Sequence, residues 1–244
     1  VKLAKKYGEE GKISVRNVRR DQIELLRKNE KEKNITEDDK KRGEEEIQKI
    51  TDQNIKLIDE AGGIRLHNAL EGFGKIEFAT SNIEKAMDGA DNIVIVLPSI
   101  YHEEIGRKCI PYLKDGQVVL LHPEASCGAL FFRKLMKELN CTAKVVLGAT
   151  DTLLYSCRSN FPGDVHIFGH KQRVAMAALP SSNNLILEEA ITGALPWLMS
   201  VDNVLYTSLA NPNAIMHPAP MIFNLARIEA EPPEDYGYYR GECR

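Results

Sequence analysis

The sequence predicts an α/β chain: an incomplete parallel sheet lacking its first βαβ unit, preceded by a two-helix hairpin and followed by the start of a helical domain. Three observations predict it. Residues 1–60 are charged and helical in pattern, with hardly a strand signal. From Gly62-Gly63 onward, short apolar runs alternate with helical segments, which is how βαβ units read in sequence. No G-x-G-x-x-G occurs in the 244 residues, although a dinucleotide-binding sheet opens on that turn. The expected boundaries are 1–60 for the hairpin, 61–200 for the sheet domain and 201–244 for the helical start.

The hairpin comes first. Ala4, Tyr7, Val15, Val18 and Leu25 stay near one face of a helix running from Val1 to about Asn29. Ile35-Thr36-Glu37-Asp38-Asp39 reads as a second helix start, with Thr36 as cap and Asp39 at the return position of a capping box. Gly43, Ile47, Ile50, Asn54 and Leu57 form its stripe, and the glycines at 62 and 63 stop it. Two such helices make an antiparallel pair that needs a third element to cover its apolar seam.

The β/α pattern follows in order. Gly72-Phe73-Gly74 reads as a turn before a strand at Lys75–Thr80, and Ser81-Asn82-Ile83-Glu84 opens a short helix. Asn92–Leu97 is a near-continuous β-branched run, as expected of a strand buried on both faces. A helix over His102–Leu113, a strand at Gln117–Leu121, a helix over Gly128–Leu139 and a strand at Lys144–Leu147 continue the alternation. Asp164–Gly169 and Arg173–Leu179 suggest an antiparallel hairpin turning at His170-Lys171-Gln172.

Charge is unevenly spread. Residues 1–60 hold 16 Lys+Arg and 15 Asp+Glu, and the remainder holds 16 and 20. Bulk charge therefore demands neither a nucleic acid nor an acidic surface as partner. Five cysteines form no CxxC pair, which reads as reduced thiols, and no apolar run approaches a membrane span. A soluble, cytoplasmic protein is the expectation, with no membrane partner. Six histidines show no metal-ligand spacing, so no metal site is expected. Of these, His102 begins a helix, His122 ends a strand, and His67, His166 and His170 fall in turns or hairpin edges. Cys141 and Cys157 read as small buried hydrophobes.

Tyr7-Gly8-Glu9-Glu10-Gly11-Lys12, Val15-Arg16-Asn17-Val18-Arg19-Arg20-Asp21, Ile35–Asp39 and Ile47-Gln48-Lys49-Ile50-Thr51-Asp52 together resemble the ribosome recycling factor family. The resemblance implies the second and third helices of a three-helix bundle that acts on ribosomes. Arg16, Arg19 and Arg20 lie at i, i+3 and i+4 and could fork onto phosphates of ribosomal RNA. The alternative is a solvated face partnered by Asp21 and Glu24. Lys40 departs from the family, which favours an apolar residue there.

Residues 61–241 resemble the octopine/nopaline (opine) dehydrogenase family. The carrying residues are Gly62-Gly63-Ile64, Glu71–Lys75, Gly89-Ala90-Asp91 with Pro98, His102–Ile105, Pro111–Gln117, Thr152–Arg158 and Asn203–Pro220. The resemblance implies a Rossmann-like sheet, NAD or NADP as cofactor, and reductive coupling of an amino acid with a 2-oxo acid such as pyruvate. It makes His217, in Asn-Pro-x-x-x-x-His-Pro, the catalytic general acid/base, a role that suits an imidazole titrating near neutral pH. Thr152 and Asn213 would bind substrate and Pro98 would touch the cofactor. Two departures stand out: His122-Pro123-Glu124 replaces the family's Asn-Pro-Gly, and Ala149 stands where Glu is expected. Glu124 would add bulk and negative charge at the sheet's ligand-binding edge. The missing glycine turn, and an orienting Asp that the resemblance places beyond Arg244, make weak cofactor binding and no turnover the expectation. A fusion of two gene fragments without activity is the third reading, beside the dehydrogenase and the ribosome-binding module.

Overall fold

The computed structural model describes residues 29–30, 32, 34, 36–211 and 218–229. They divide into two compact units. One holds the described residues up to Ala90, with Lys108–Leu113 and Leu154–Gln172; the other holds Asp91–Arg107, Lys114–Leu153 and the described residues from Arg173.

The first unit opens on helix α1, Glu37–Ala61, and its start follows the sequence closely. Thr36 Oγ1 accepts the Asp39 N–H at 3.1 Å, and Asp39 Oδ2 accepts the Thr36 N–H at 3.2 Å, closing the capping box. Hydrogen bonds from Thr36 hold the Asp39 carboxyl below its ordinary value. Gly62, at φ 64°, ends the helix in the left-handed conformation. The expected apolar stripe does not form one buried face, because Ile50 and Leu57 are exposed. The partner helix of the expected hairpin, Val1 to about Asn29, lies outside the described residues except at its end.

β1 (Gly63–Asn68) leaves Gly62 directly and pairs antiparallel with β2 (Gly72–Lys75). The last turns of α1 are tied down here: Asp59 Oδ1 accepts the Ala79 N–H at 2.7 Å, and Asp52 accepts the Ser81 hydroxyl at 3.3 Å. Gly72-Phe73-Gly74 is therefore a strand and not a turn, and the expected strand at Lys75–Thr80 is absent. The short link Ala69–Glu71 is what allows β2 to fold back on β1, leaving the chain beyond Ile76 free to lead into helix α2 (Ile83–Met87). The sheet is completed in the order β2-β1-β7-β6 by β6 (Tyr155–Phe161) and β7 (Asp164–His170). Only the β1–β7 pair is parallel.

The second unit is the doubly wound part. β3 (Asn92–Ile95), β4 (Val118–Leu121) and β5 (Val146–Thr150) are parallel neighbours. β8 (Val174–Leu179) joins β5 antiparallel, and β9 (Leu198–Ser200) completes the order β3-β4-β5-β8-β9. The crossovers carry α3 (His102–Cys109), α4 (Gly128–Glu138) and α5 (Asn184–Ile191). Every side chain of β4 is buried, at 4%, 1%, 0% and 0% exposure, because helices cover both faces. Gly148 lies beneath Leu187 of α5, where an added Cβ would come within 2.6 Å of it, while Leu121 faces Gly128 of α4. Each such buried side chain contributes about 1.5–3 kcal/mol.

The expected hairpin of Asp164–Gly169 with Arg173–Leu179 is not formed. β7 pairs with β6, closed by Lys171 N–H donating to Leu154 O at 2.9 Å, and β8 enters the other sheet. The burial pattern gives the reason. Val174, Met176, Ala177 and Ala178 are all buried, as a central strand requires, whereas Phe168 on β7 is exposed. The chain then runs through α6 (Val204–Leu209), α7 (Pro218–Phe223) and α8 (Leu225–Ile228). Among the described residues no helix is long and apolar enough to cross a membrane.

Candidate functional site

The parallel trio β3-β4-β5 ends along one edge, with Ile95, Leu121 and Ala149 in register. Ligands of open α/β sheets bind outside the carboxyl ends of the strands. Three loops meet this edge. Pro98 lies three residues past β3, exposed, as the start of a 3-10 turn over Ser99–Tyr101. His122-Pro123-Glu124 follows β4, with the His122–Pro123 peptide cis. Thr150 and half-buried Thr152 follow at the end of β5.

Hydrogen bonds specify the chemistry of this edge. Thr150 Oγ1 lies 2.7 Å from His122 Nδ1, 3.2 Å from Thr152 O and 3.5 Å from Leu121 O. The buried His122 is thus tied through Nδ1 to the Thr150 hydroxyl at the end of β5. His102 is as deeply buried, at 1% exposure. Its Nε2 lies 3.2 Å from Leu97 O, which fixes the proton on Nε2. Nδ1 is left without a partner, beside Gly128 at the head of α4. Burial pushes the His102 pKa below its ordinary value, against the pull of the Leu97 carbonyl, so the ring is neutral.

Glu124 differs from the sequence expectation. It is 0% exposed and presents no charge to a ligand. Oε2 accepts the Ala129 N–H at 2.9 Å, and Oε1 contacts the hydroxyls of Thr207 and Ser208, the latter at 2.9 Å. Ser208 Oγ in turn accepts the Cys127 N–H at 3.1 Å. Glu124 thus joins the β4 loop, the head of α4 and helix α6. Sequence reasoning noticed the unusual residue and missed the Thr207 and Ser208 hydroxyls, which stand more than 80 positions away.

His217 and Asn213 lie outside the described residues, as do Arg16, Arg19 and Arg20. Of the residues singled out in sequence, Pro98 and Thr152 come to the same sheet edge. Cys141 and Cys157 are half-buried, and Cys109 is the buried thiol, its pKa pushed up to about 11 by burial. Among the described residues no group of histidines, cysteines and carboxylates is arranged to hold a metal ion.

Two family models match the chain. Residues 1–62 match the family model of ribosome recycling factor, and residues 200–244 match that of NAD/NADP octopine/nopaline dehydrogenase, alpha-helical domain. Both resemblances read from the sequence are borne out. Over 188 residues the chain is 39% identical to an opine dehydrogenase of Arthrobacter sp. (strain 1C), covering 77% of this chain and 52% of that protein. Over 61 residues it is 54% identical to the ribosome-recycling factor of Solidesulfovibrio magneticus, covering 25% of this chain and 33% of that protein. The chain therefore spans about half the length of the first relative and a third of the second.

Among solved structures, octopine dehydrogenase with NADH and pyruvate superposes with a TM-score of 0.59 at 18% identity, over 72% of this chain and 46% of that one. Apo yersinopine dehydrogenase gives 0.54 at 14% identity, over 71% and 43%. These likenesses show the fold. The α/β class and its Rossmann-like sheet stand as expected, with the difference that the strands form two mixed sheets.

At the heads of α2 and α4 the described residues do not fit the pyrophosphate of a dinucleotide. Such a group needs free backbone N–H groups at a helix head after a strand. At α4 the Gly128 N–H goes to Ala125 O, the Ala129 N–H to Glu124 and the Phe131 N–H to Cys127 O. At α2, Asn82 takes the Lys85 N–H.

Proposed function

We propose that residues 61–244 derive from an NAD(P)-dependent opine dehydrogenase, an enzyme class that couples an amino acid to a 2-oxo acid by reduction. The single observation that carries this reading is the 39% identity over 188 residues to an opine dehydrogenase. Its site would lie at the carboxyl edge of β3-β4-β5, with Pro98 against the cofactor and Thr152 offering its hydroxyl to a substrate carboxylate. Asn213 would join it, and His217 would donate the proton to the carbonyl or imine as hydride arrives. The helix heads filled by Asn82 and Glu124 leave no pyrophosphate anchor at those places. Each lost charge-assisted hydrogen bond forfeits roughly 1.5–3 kcal/mol. The 244-residue chain is therefore expected to bind NADH weakly and not to turn over.

An NADH fluorescence titration, with an oxidation assay on pyruvate and a panel of amino acids, tests this. Micromolar binding with turnover that His217→Ala abolishes would overturn the expectation of inactivity. It would also establish the dehydrogenase assignment.

A second reading belongs to residues 1–60. Identity of 62% over 52 residues to the ribosome-recycling factor of Oleidesulfovibrio alaskensis favours a translation module. In this reading Arg16, Arg19 and Arg20 contact ribosomal RNA. Cosedimentation of the full chain with ribosomes, lost when the three arginines become glutamines, would support it. Equal sedimentation of the variant would remove the arginines from the interface.

A further inference from the structure

Thr207 raises a question of proton count. Its hydroxyl lies 2.9 Å from Val204 O and in hydrogen-bond contact with Glu124 Oε1. A hydroxyl donates one hydrogen bond and accepts others. Val204 O can only accept. Both Thr207 contacts are two-centre hydrogen bonds at once when the Glu124 carboxyl supplies the second proton. The remaining contacts agree with that arrangement. Ser208 Oγ receives the Cys127 N–H and gives its own proton to Glu124 Oε1, and Oε2 receives the Ala129 N–H.

We infer that Glu124 is held as a neutral carboxylic acid, a positioning residue that fastens α6 to the loop after β4. Asn211 follows two residues beyond the end of α6, so the latch also sets where the Asn-Pro block begins. The latch stands without the dehydrogenase reading; only the consequence for the Asn-Pro block rests on it.

Burial works in the same direction, pushing the Glu124 carboxyl above its ordinary value against the hydrogen bonds it accepts from Ala129 and Ser208. Other titratable groups on the surrounding elements are engaged elsewhere or stand in solvent. His102 is bonded to Leu97 O and His122 to Thr150 Oγ1. Arg133 donates to Leu179 O, and Asp151 accepts the Ala175 N–H. Cys127 and Tyr206 are exposed. The sign follows from the raised pKa. The unfolded chain releases this proton at the ordinary glutamate value, the folded chain only at higher pH. The latch is thus complete at low pH and is lost as pH rises through the folded-state value.

The test is carbon-13 NMR of the full chain labelled at glutamate side chains. One carboxyl carbon is expected to remain at its protonated shift at neutral pH and to vanish in Glu124→Gln. The Gln variant keeps both acceptor and donor, so its thermal midpoint should match the parent at mildly acidic pH and exceed it at alkaline pH. If Glu124→Gln does not fold, Thr207→Val removes the acceptor of the proton and should displace the same resonance. A chain in which every glutamate is ionised at neutral pH overturns the inference. A Gln variant that is less stable by the same margin at every pH does so too.

Discussion

Ser208 Oγ lies 2.9 Å from Glu124 Oε1, joining residues 84 apart in sequence. The same hydroxyl takes the Cys127 N–H, so one small side chain satisfies a loop amide and a buried acid together. Ser208 sits on the inner face of α6, and Val204 and Thr207 share that burial.

Replacing Ser208 by Ala should therefore cost more than an exposed serine would. It leaves the Cys127 N–H and one lobe of the Glu124 carboxyl short of a partner. An unsatisfied buried group costs about 1–3 kcal/mol. Urea unfolding of the full chain should show a lower midpoint with an unchanged slope.

A second expected outcome concerns thiol chemistry. The Cys109 thiol is buried and its pKa stands at about 11, so little thiolate exists near neutral pH. Cys127 is exposed on the loop before α4. Brief treatment with a maleimide, followed by peptide mapping, should label Cys127 and spare Cys109. Equal labelling of both would show that the unit holding Cys109 opens readily.

His102 provides the pH dependence. Its folded-state pKa is lowered from an ordinary 6.5, so the unfolded chain takes up a proton that the folded chain refuses. Stability contributed by the neutral ring is present above that value and declines as pH falls below it. His102→Leu removes both the titration and the unpartnered Nδ1. Its thermal midpoint should be less sensitive to acid than that of the parent chain.

Local signals and long-range ones differed in how well they could be read. The capping box of Thr36 and Asp39 and the stop at Gly62 are set by neighbours within a few residues, and pattern reveals them, whereas the Asn92–Leu97 run expected to be buried on both faces leaves Val94, Val96 and Leu97 exposed. The partners of β7 and β8 are not local. Both look like plain strands, and their assignment to separate sheets depends on which faces the rest of the fold covers. Glu124 shows the same limit at the candidate site. Its chemical oddity is visible beside Pro123, yet whether it faces a ligand or the interior is decided by Thr207 and Ser208. Periodicity also overestimated the apolar face of α1, since Ile50 and Leu57 are exposed in spite of their spacing.

Gly63 is where backbone packing leaves least room. It opens β1 opposite Lys75, and an added Cβ would stand 2.5 Å from the backbone oxygen of Gly74 and 2.5 Å from the Phe73 ring. The ring could rotate away, but the carbonyl belongs to the partner strand and cannot move without breaking the β1–β2 pairing. Gly62 just before it needs its positive φ to end α1, so the chain cannot relax backward either. Overpacking of this kind costs roughly 1–3 kcal/mol. Gly63→Ala should lower the unfolding midpoint and raise hydrogen exchange at Ile64 and Ile76, whose N–H donates to Gly62 O. Gly74→Ala is the matched control. An added Cβ there meets only Ile64 O, at 3.7 Å, so its stability should stay close to that of the parent. Equal losses from the two substitutions would mean that strand propensity, and not the close approach at Gly63, governs this corner of the sheet.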